Sequence, residues 1–308
     1  MKPNVTLIGA LVLTGAVWAL TFPLTKLAVE GGYRSFGIIF WSSAVAVVIL
    51  GAIAALRRMS LPLNPAALSR YLFVALLGTI LPSAASYTAA VHLPAGVISV
   101  CMSIIPIVTF PLAIAVGLDR VSWGRGLGLV LGLAGVLLIT LPDASLPDPA
   151  TSIFIGLVLL AVFCYAIEGV GLGLFGQAGL DPIQLLLGAS LIAAIAALPV
   201  AAATNTFIVP PWPVGPAEVA VILSGAANAG AYVGYVWIVG RGGPVFAAQV
   251  SYVVTGFGVV WSMLLLGESY SLWIWAALAA IFTGLFLTQP RPGAPTAYGD
   301  ASLNLKTR

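Results

Sequence analysis

Residues 156–176 read GLVLLAVFCYAIEGVGLGLFG, an apolar stretch interrupted by one carboxylate, Glu168. About 20 apolar residues are enough for a helix to cross the hydrocarbon core of a bilayer. A charge at that depth costs on the order of several kcal/mol unless it faces protein or water. At about 3.6 residues per turn, Glu168 shares one helical face with Cys164 and Tyr165. The stretch therefore predicts a membrane-spanning helix whose inward-facing acid serves either function or helix–helix hydrogen bonding.

The composition places the whole chain in the same class. Of its 308 residues, 61% are hydrophobic and 7% are charged, which excludes a soluble domain. There are 12 Lys and Arg against 9 Asp and Glu, but no basic cluster is longer than Arg57-Arg58, so no nucleic-acid partner is predicted. The two cysteines and the single histidine have no zinc-ligand spacing. No metal and no cofactor is predicted.

Ten apolar stretches are long enough to span a bilayer, and short polar breaks separate them. Their limits are 6–29, 35–56, 69–91, 95–118, 124–141, 152–176, 182–203, 216–239, 243–266 and 271–289. The first stretch is longer than the apolar part of a secretion signal, so we expect it to be retained. The predicted fold class is an all-α membrane protein with ten transmembrane helices.

The basic residues indicate how these helices are oriented. An N-terminus on the cytoplasmic side places ten basic residues there, namely Lys2, Arg57, Arg58, Arg70, Arg120, Arg125, Arg241, Arg291, Lys306 and Arg308. Only Lys26 and Arg34 fall on the opposite side. Lysine and arginine accumulate in cytoplasmic loops. We therefore expect both termini in the cytoplasm and the protein in the inner (cytoplasmic) membrane.

The two halves of the sequence resemble each other. A shift of 147 residues places Trp18 on Tyr165, and a shift of 149 places Asp119 on Glu268. Five spans is an odd number, so the second copy would have the opposite orientation in the membrane, as in transporters whose substrate site lies near the midplane. The predicted organisation is a first five-helix repeat over 1–141, a linker over 142–151, a second repeat over 152–289 and a disordered cytoplasmic tail over 290–308.

Several short motifs point to a family. They are the segment Trp18-Ala-Leu-Thr-Phe22 with Lys26 after it, and the acidic residues of Gly117-Leu-Asp119 and Gly267-Glu268. On these residues the chain resembles the drug/metabolite transporter superfamily, specifically its ten-helix members with two EamA-type domains. The resemblance covers about residues 8–288. It implies secondary transport of small metabolites. Among the relatives, bacterial exporters of aromatic and other neutral amino acids, the YddG type, are most similar to the aromatic, weakly charged interior expected here. One departure is Phe40-Trp41-Ser42, where family members often carry an arginine.

Polar and aromatic side chains at helical spacing on apolar spans are candidates for the lining of a cavity between the repeats. These residues are Trp18, Phe22, Ser86, Tyr87, Tyr165, Glu168, Asn228, Tyr232, Tyr235, Gln249 and Tyr252. The two amides fit helix–helix hydrogen bonding equally well. Lys26 lies at a membrane boundary, so we expect its ammonium to reach the polar surface. His92 stands beside Leu93-Pro94 and is expected in a turn.

These residues favour an exporter that moves a small neutral or zwitterionic metabolite, above all an amino acid, by alternating access. No G-x-x-x-x-G-K-[ST] motif is present, so the chain has no ATPase site of its own. Glu168 is the candidate proton-coupling acid. The alternatives are export of nucleobases, nucleosides or drugs in the same fold, a channel, or an intramembrane enzyme, for which no G-x-S-x-G motif is present. The expected partners are the substrate and the lipid bilayer, and we expect a monomer that is not an enzyme.

Overall fold

The computed structural model describes residues 5–117, 123–139, 149–242 and 250–288. Every regular element within these residues is helical. The α-helices are α1 (Val5–Ala19), α2 (Thr21–Glu30), α3 (Ser35–Leu56), α4 (Pro65–Val74), α5 (Leu81–Ala90), α6 (Ala95–Met102), α7 (Ile105–Ala115), α8 (Trp123–Ile139), α9 (Ile155–Phe175), α10 (Pro182–Ala203), α11 (Pro216–Gly242), α12 (Val250–Leu266) and α13 (Leu272–Thr288). A π-helix (Ala75–Ile80) joins α4 to α5, and a 3₁₀-helix (Pro149–Phe154) precedes α9.

Six helical stretches in the described residues are long and apolar enough to cross a membrane. They are Val5–Glu30, Ser35–Leu56, Pro65–Ala90, Ala95–Ala115, Thr151–Phe175 and Pro182–Ala203. Shorter apolar helices occupy Gly126–Gly135, Val250–Leu266 and Leu272–Gly284. The prediction of an all-helical, multi-pass membrane protein is therefore confirmed. The predicted tail and most of the predicted linker lie outside the described residues.

Capping residues explain where two of the spans begin. The third span starts at Pro65, four residues before its predicted limit, because the Asn64 side chain accepts a hydrogen bond from the Ala67 N–H at 2.8 Å. A proline suits the first turn, whose N–H groups have no partner within the helix. Helix α10 starts with a capping box, in which Asp181 accepts from the Ile183 N–H and Gln184 accepts from the Asp181 N–H.

A proline also interrupts the third span. Pro82 has no N–H, so it cannot donate to the carbonyl of Gly78 four residues earlier. The chain accommodates this loss with the π-helix Ala75–Ile80, which ends just before Pro82. Single π-turns within α-helices are frequent at functional sites. The middle of this span therefore has an irregular backbone.

The two halves of the chain pack on each other through corresponding spans. Helix α8 packs along α13, and α3 packs along α10, so each of these pairs joins equivalent spans of the two halves. Helix α9 contacts α5 and α7 of the first half, just as α1 contacts α11 and α12 of the second half. Exchanging the halves maps the second set of contacts onto the first. This pattern fits a two-repeat architecture.

Glycines bring α8 and α13 into backbone contact. A Cβ atom added at Gly284 would lie 2.6 Å from the carbonyl oxygen of Gly128 and 3.1 Å from the nitrogen of Gly132. A Cβ added at Gly135 would lie 2.5 Å from Cγ1 of Ile281. Real Cβ atoms do not approach other atoms so closely, so this pairing of the fifth and tenth apolar segments requires small residues.

Candidate functional site

Four tyrosines and one carboxylate form a row between the two halves. Glu168 on α9 interacts electrostatically with Tyr165, one turn away, and with Tyr232 on α11. Tyr165 also interacts with Tyr87 on α5, and Tyr232 with Tyr235. We call these five side chains the tyrosine–acid row. Tyr87 comes from the first half and the other four from the second, so the row lies where the halves meet.

Trp18 extends the tyrosine–acid row to α1. Its indole Nε1 donates a hydrogen bond to Oδ1 of Asn228 on α11 at 3.1 Å. The indole and the Tyr235 ring meet edge to face, with 6.0 Å between centroids and 66° between planes. Three of the residues that the sequence singled out are thus in direct contact. Their donors, acceptors and ring faces resemble the lining of a small-molecule site.

The hydroxyl of Tyr87 is surrounded by three smaller hydroxyls. Thr25 on α2, Ser42 on α3 and Ser83 on α5 lie close to it, and Ser83 also lies close to Tyr165. Each of these hydroxyls can donate and accept hydrogen bonds. This end of the row is therefore lined by polar groups from three different spans.

Glu168 differs from its neighbours because, within the described part of the chain, its carboxyl group forms no hydrogen bond and no ion pair. Its two oxygens lie against the backbone of Gly78 in the π-helix, where an added Cβ would stand 2.7 Å from Oε1 and 2.9 Å from Oε2. The side chain is half-buried. An acid so placed is open to a proton or to a polar group of a bound molecule.

Two basic side chains of the first half are held elsewhere. Lys26 Nζ donates to the carbonyl of Ala90 at 2.8 Å and lies 3.7 Å from Glu30. Its side chain is 14% exposed, and both partners are the last residues of their helices, α5 and α2. The Arg70 guanidinium donates to the carbonyls of Phe175 and Gly176 at the end of α9. Neither cation neutralises Glu168.

The other predicted residues have different contacts in the structure. Ser86 is buried and donates to the Pro82 carbonyl of its own helix at 2.7 Å. Phe22 packs against the main hydrophobic core, and the Tyr252 ring lies 5.8 Å from that of Phe282. His92 lies in the turn after α5, as expected, and stacks on Phe154. Gln249 lies outside the described residues.

A second polar cluster joins the halves at the end of α12. The Glu268 carboxylate accepts hydrogen bonds from the N–H groups of Ala95, at 2.8 Å, and Gly96, at 3.2 Å, where α6 begins. The Tyr270 hydroxyl donates to Glu268 and accepts from the Gly96 N–H. Burial, and then Glu268, raise the pKa of Tyr270 above its usual value, so the phenol keeps the proton that it donates. Glu268 thus caps a helix of the opposite half.

The structure also contains an apolar groove of about 560 Å³ between α1, α12 and α13. Its lining includes the partly exposed side chains of Val12, Val260 and Trp275. Apart from the indole N–H of Trp275, the side chains that line it are apolar. Within the described residues, no group of three His, Cys, Asp or Glu side chains could hold a metal ion.

Four residues at the row were not singled out from the sequence. Ser83 stands four positions before Tyr87, so helical spacing could have found it. Thr25 and Ser42 come from other spans and become neighbours of Tyr87 only through packing. Gly78 has no side chain, and its contact with Glu168 depends on the π-helix.

Comparison with known proteins connects this geometry to a family. The model of the EamA-like transporter family matches residues 6–141 and 152–289. The chain belongs to this family. The chain is also similar to a solved crystal structure of a protein that has no more specific name. The TM-score is 0.63 and the sequence identity is 17%, and the match covers 91% of this chain and 96% of that one. At this identity the likeness concerns the fold alone. No curated protein sequence matches the chain.

Membership of the EamA-like transporter family makes the chain a multi-pass membrane protein of a transporter family rather than of an enzyme family. The match is twofold, and its two segments contribute different side chains to the row. The resemblance to the drug/metabolite transporter superfamily is thereby confirmed at the level of the family.

Proposed function

We propose that this EamA-like protein is a secondary transporter that exports small metabolites across the cytoplasmic membrane by alternating access. The observation that carries the proposal is the tyrosine–acid row, with an unpartnered Glu168 at the contact between the halves. Polar groups in the membrane interior are expensive, and an acid without a structural partner is a functional candidate. Inverted repeats with a midplane site are a common transporter architecture.

The proposal includes the membrane arrangement. Ten spans would form two five-helix repeats of opposite orientation, over 1–141 and 152–289, with both termini in the cytoplasm and the protein a monomer. The distribution of Lys and Arg supports this orientation. The exchange symmetry of the helix contacts supports the pairing of the repeats. The substrate would alternate between openings on the two sides of the row.

Amino acids with aromatic or other neutral side chains are the proposed substrates. The rings of Trp18 and Tyr235 offer apolar and edge-to-face contacts, and the Asn228 amide offers a donor and an acceptor. Glu168 could receive an ammonium group or a proton. The same lining would accept nucleobases, nucleosides or drugs, which are therefore included as competitors in the test. Phe22, Ser86, Gln249 and Tyr252 remain proposed lining residues of the same cavity.

Counterflow in proteoliposomes tests this function. Purified protein is reconstituted, loaded with unlabelled L-phenylalanine and diluted into a trace of labelled L-phenylalanine. A carrier accumulates label transiently and saturates with concentration. Equal uptake with and without internal phenylalanine would contradict a carrier and favour a channel, whereas a chemically altered label would indicate an enzyme. Competition by nucleobases or drugs instead of amino acids would reassign the substrate.

Replacing Tyr232 should change substrate preference. Tyr232 interacts electrostatically with both Glu168 and Tyr235. Tyr232→Ala therefore removes the aromatic ring from the row, while Tyr232→Phe keeps the ring. We expect Tyr232→Ala to reduce the preference for phenylalanine over alanine about tenfold, the effect of roughly 1.4 kcal/mol of aromatic contact. Inhibition constants across an amino-acid panel measure it. An unchanged order would place Tyr232 outside the cavity. Tyr252→Ala, assayed in the same panel, separates substrate contact from packing against Phe282.

A further inference from the structure

The contact between Glu168 and the third span is made with bare backbone. A Cβ atom at Gly78 would lie 2.7 Å from Oε1, 2.8 Å from Cδ and 2.9 Å from Oε2 of Glu168. All three heavy atoms of the carboxyl group are thus within 3 Å of the space that any other residue would fill. Real Cβ atoms do not approach other atoms so closely, and the carboxyl group is the far end of a flexible side chain, so it is the group that would move to make room.

Local sequence explains why this backbone is accessible. Pro82 withholds the N–H that would bond the Gly78 carbonyl, and the chain responds with the π-helix Ala75–Ile80. A π-turn widens the helix and changes which residues face a neighbour. Gly78 is the glycine of this π-helix, and it is the residue that the structure turns toward Glu168. Gly78 and Pro82 therefore jointly produce a recess in the surface of the third span, and the Glu168 carboxyl group lies in this recess.

Close packing of α9 on the third span brings Glu168 against Gly78. One turn along α9, a Cβ at Gly171 would meet the ring of Phe73 on α4, so the two spans touch there as well. Tyr232 of α11 interacts electrostatically with the carboxyl group from another span. A methyl group added at position 78 would therefore move the carboxyl group away from the third span and change its place in the tyrosine–acid row.

We propose that Gly78 is a positioning residue for Glu168, whose carboxyl group occupies a recess made by the π-helix and is thereby held in the row. The effect on transport rests on the proposed function, but the contact itself does not. A methyl group at position 78 should displace the carboxyl group by about 1 Å, and a displacement of that size costs about 100-fold in enzyme sites. We therefore expect Gly78→Ala to lower the phenylalanine counterflow rate about 10- to 100-fold.

Two further variants make the test specific. Gly169→Ala is the matched control, because it adds a methyl next to Glu168 at a position where nothing lies within 4 Å, and it should transport like the wild type. Combining Gly78→Ala with Glu168→Asp shortens the acid by one methylene and should recover part of the rate lost in Gly78→Ala. A merely structural role for Gly78 would give no such rescue.

The pH profile gives an independent reading of the same displacement. The titratable groups that face Glu168 in the described residues are Tyr165 on its own helix and Tyr232 on α11. Tyrosine titrates near pH 10 in model peptides, roughly 2 units above an assay range of about pH 5 to 8, so a pH dependence within that range would not come from these two phenols. We expect Gly78→Ala, but not Gly169→Ala, to shift the pH of half-maximal counterflow.

A double-mutant cycle separates this inference from the transport proposal. Melting temperatures of purified wild type, Gly78→Ala, Glu168→Ala and the double variant require no transport. Gly78→Ala should lower the melting temperature of the wild type and leave that of Glu168→Ala unchanged, because the shorter side chain frees the recess.

If Gly78→Ala prevents insertion, recovery of insertion by Glu168→Ala supports the contact in the same way. Equal losses in both backgrounds, or normal counterflow and pH profile in Gly78→Ala, would overturn the proposal. Absence of counterflow in the wild type together with non-additive melting would reject the transport proposal alone.

Discussion

Proteoliposomes that contain Glu168→Gln are expected to lose counterflow of phenylalanine by about 30-fold or more, or to lose its dependence on pH. Glutamine keeps the shape of the side chain and removes its charge and its titration. In the proposed mechanism the carboxylate pairs with the ammonium group of the bound substrate, and removing one partner of such a pair costs about 2–5 kcal/mol. Each 1.4 kcal/mol corresponds to about tenfold in rate or affinity. Initial rates between about pH 5 and 8 measure the effect.

The same variant should insert and fold normally. An amide in the bilayer interior is less costly than a charge, so Glu168→Gln should not lower the melting temperature. Glu30→Gln is the matched control, because it makes the same chemical change at an acid that is 55% exposed. It should transport like the wild type. Unchanged, still pH-dependent counterflow in Glu168→Gln would show that the acid is structural, and the proposed role of the tyrosine–acid row would then be withdrawn.

The largest effect on stability is expected for Glu268→Ala. This change removes the acceptor of the Ala95 and Gly96 N–H groups and of the Tyr270 hydroxyl, so three donors lose a partner. Hydrogen bonds to a charged group contribute about 1.5–3 kcal/mol each, and part of this is recovered from solvent at a half-buried site. We expect the free energy of unfolding to fall by about 2–4 kcal/mol. Unfolding in detergent, followed by tryptophan fluorescence, measures it.

Two controls assign this loss to the cap of α6. Tyr270→Phe removes one hydroxyl and leaves both backbone contacts of Glu268, so it should cost about 1 kcal/mol. Glu30→Ala removes an exposed carboxylate that pairs with Lys26 over 3.7 Å, and an exposed pair of this kind contributes about 1 kcal/mol or less. A loss in Glu268→Ala no larger than in Glu30→Ala would contradict the stabilising role of the cap.

Apolar length and helical spacing were enough to predict most of the fold. The helices begin and end close to the predicted limits, and the main difference, the start of the third span at Pro65, comes from a cap at Asn64 that hydropathy does not register. The family was identifiable because short motifs such as Gly267-Glu268 occur in the same order along this chain as in members of the family. The Glu268 cap gives that motif a physical role, since the acid closes a helix of the other half.

The candidate site was only partly predictable. Helical spacing indicates which residues share a face of one helix, and it selected Trp18 on the first span and Asn228 and Tyr235 on the eighth, which the structure brings into contact. It cannot tell which face of an apolar helix meets the other repeat, so it did not predict that Phe22 packs on the main core or that Tyr252 meets Phe282. Lys26 reached a carbonyl of a neighbouring span because packing placed Ala90 within its range. Such partners depend on three-dimensional proximity alone.

The glycine contacts between α8 and α13 have a mechanical consequence. With the backbone of one helix resting on that of the other near Gly128 and Gly284, there is no layer of side chains that could repack to let the two slide. The fifth and tenth segments should therefore move together, although they belong to different halves. In the proposed transport cycle, the movement that opens the interior to either compartment would then be carried by the remaining segments.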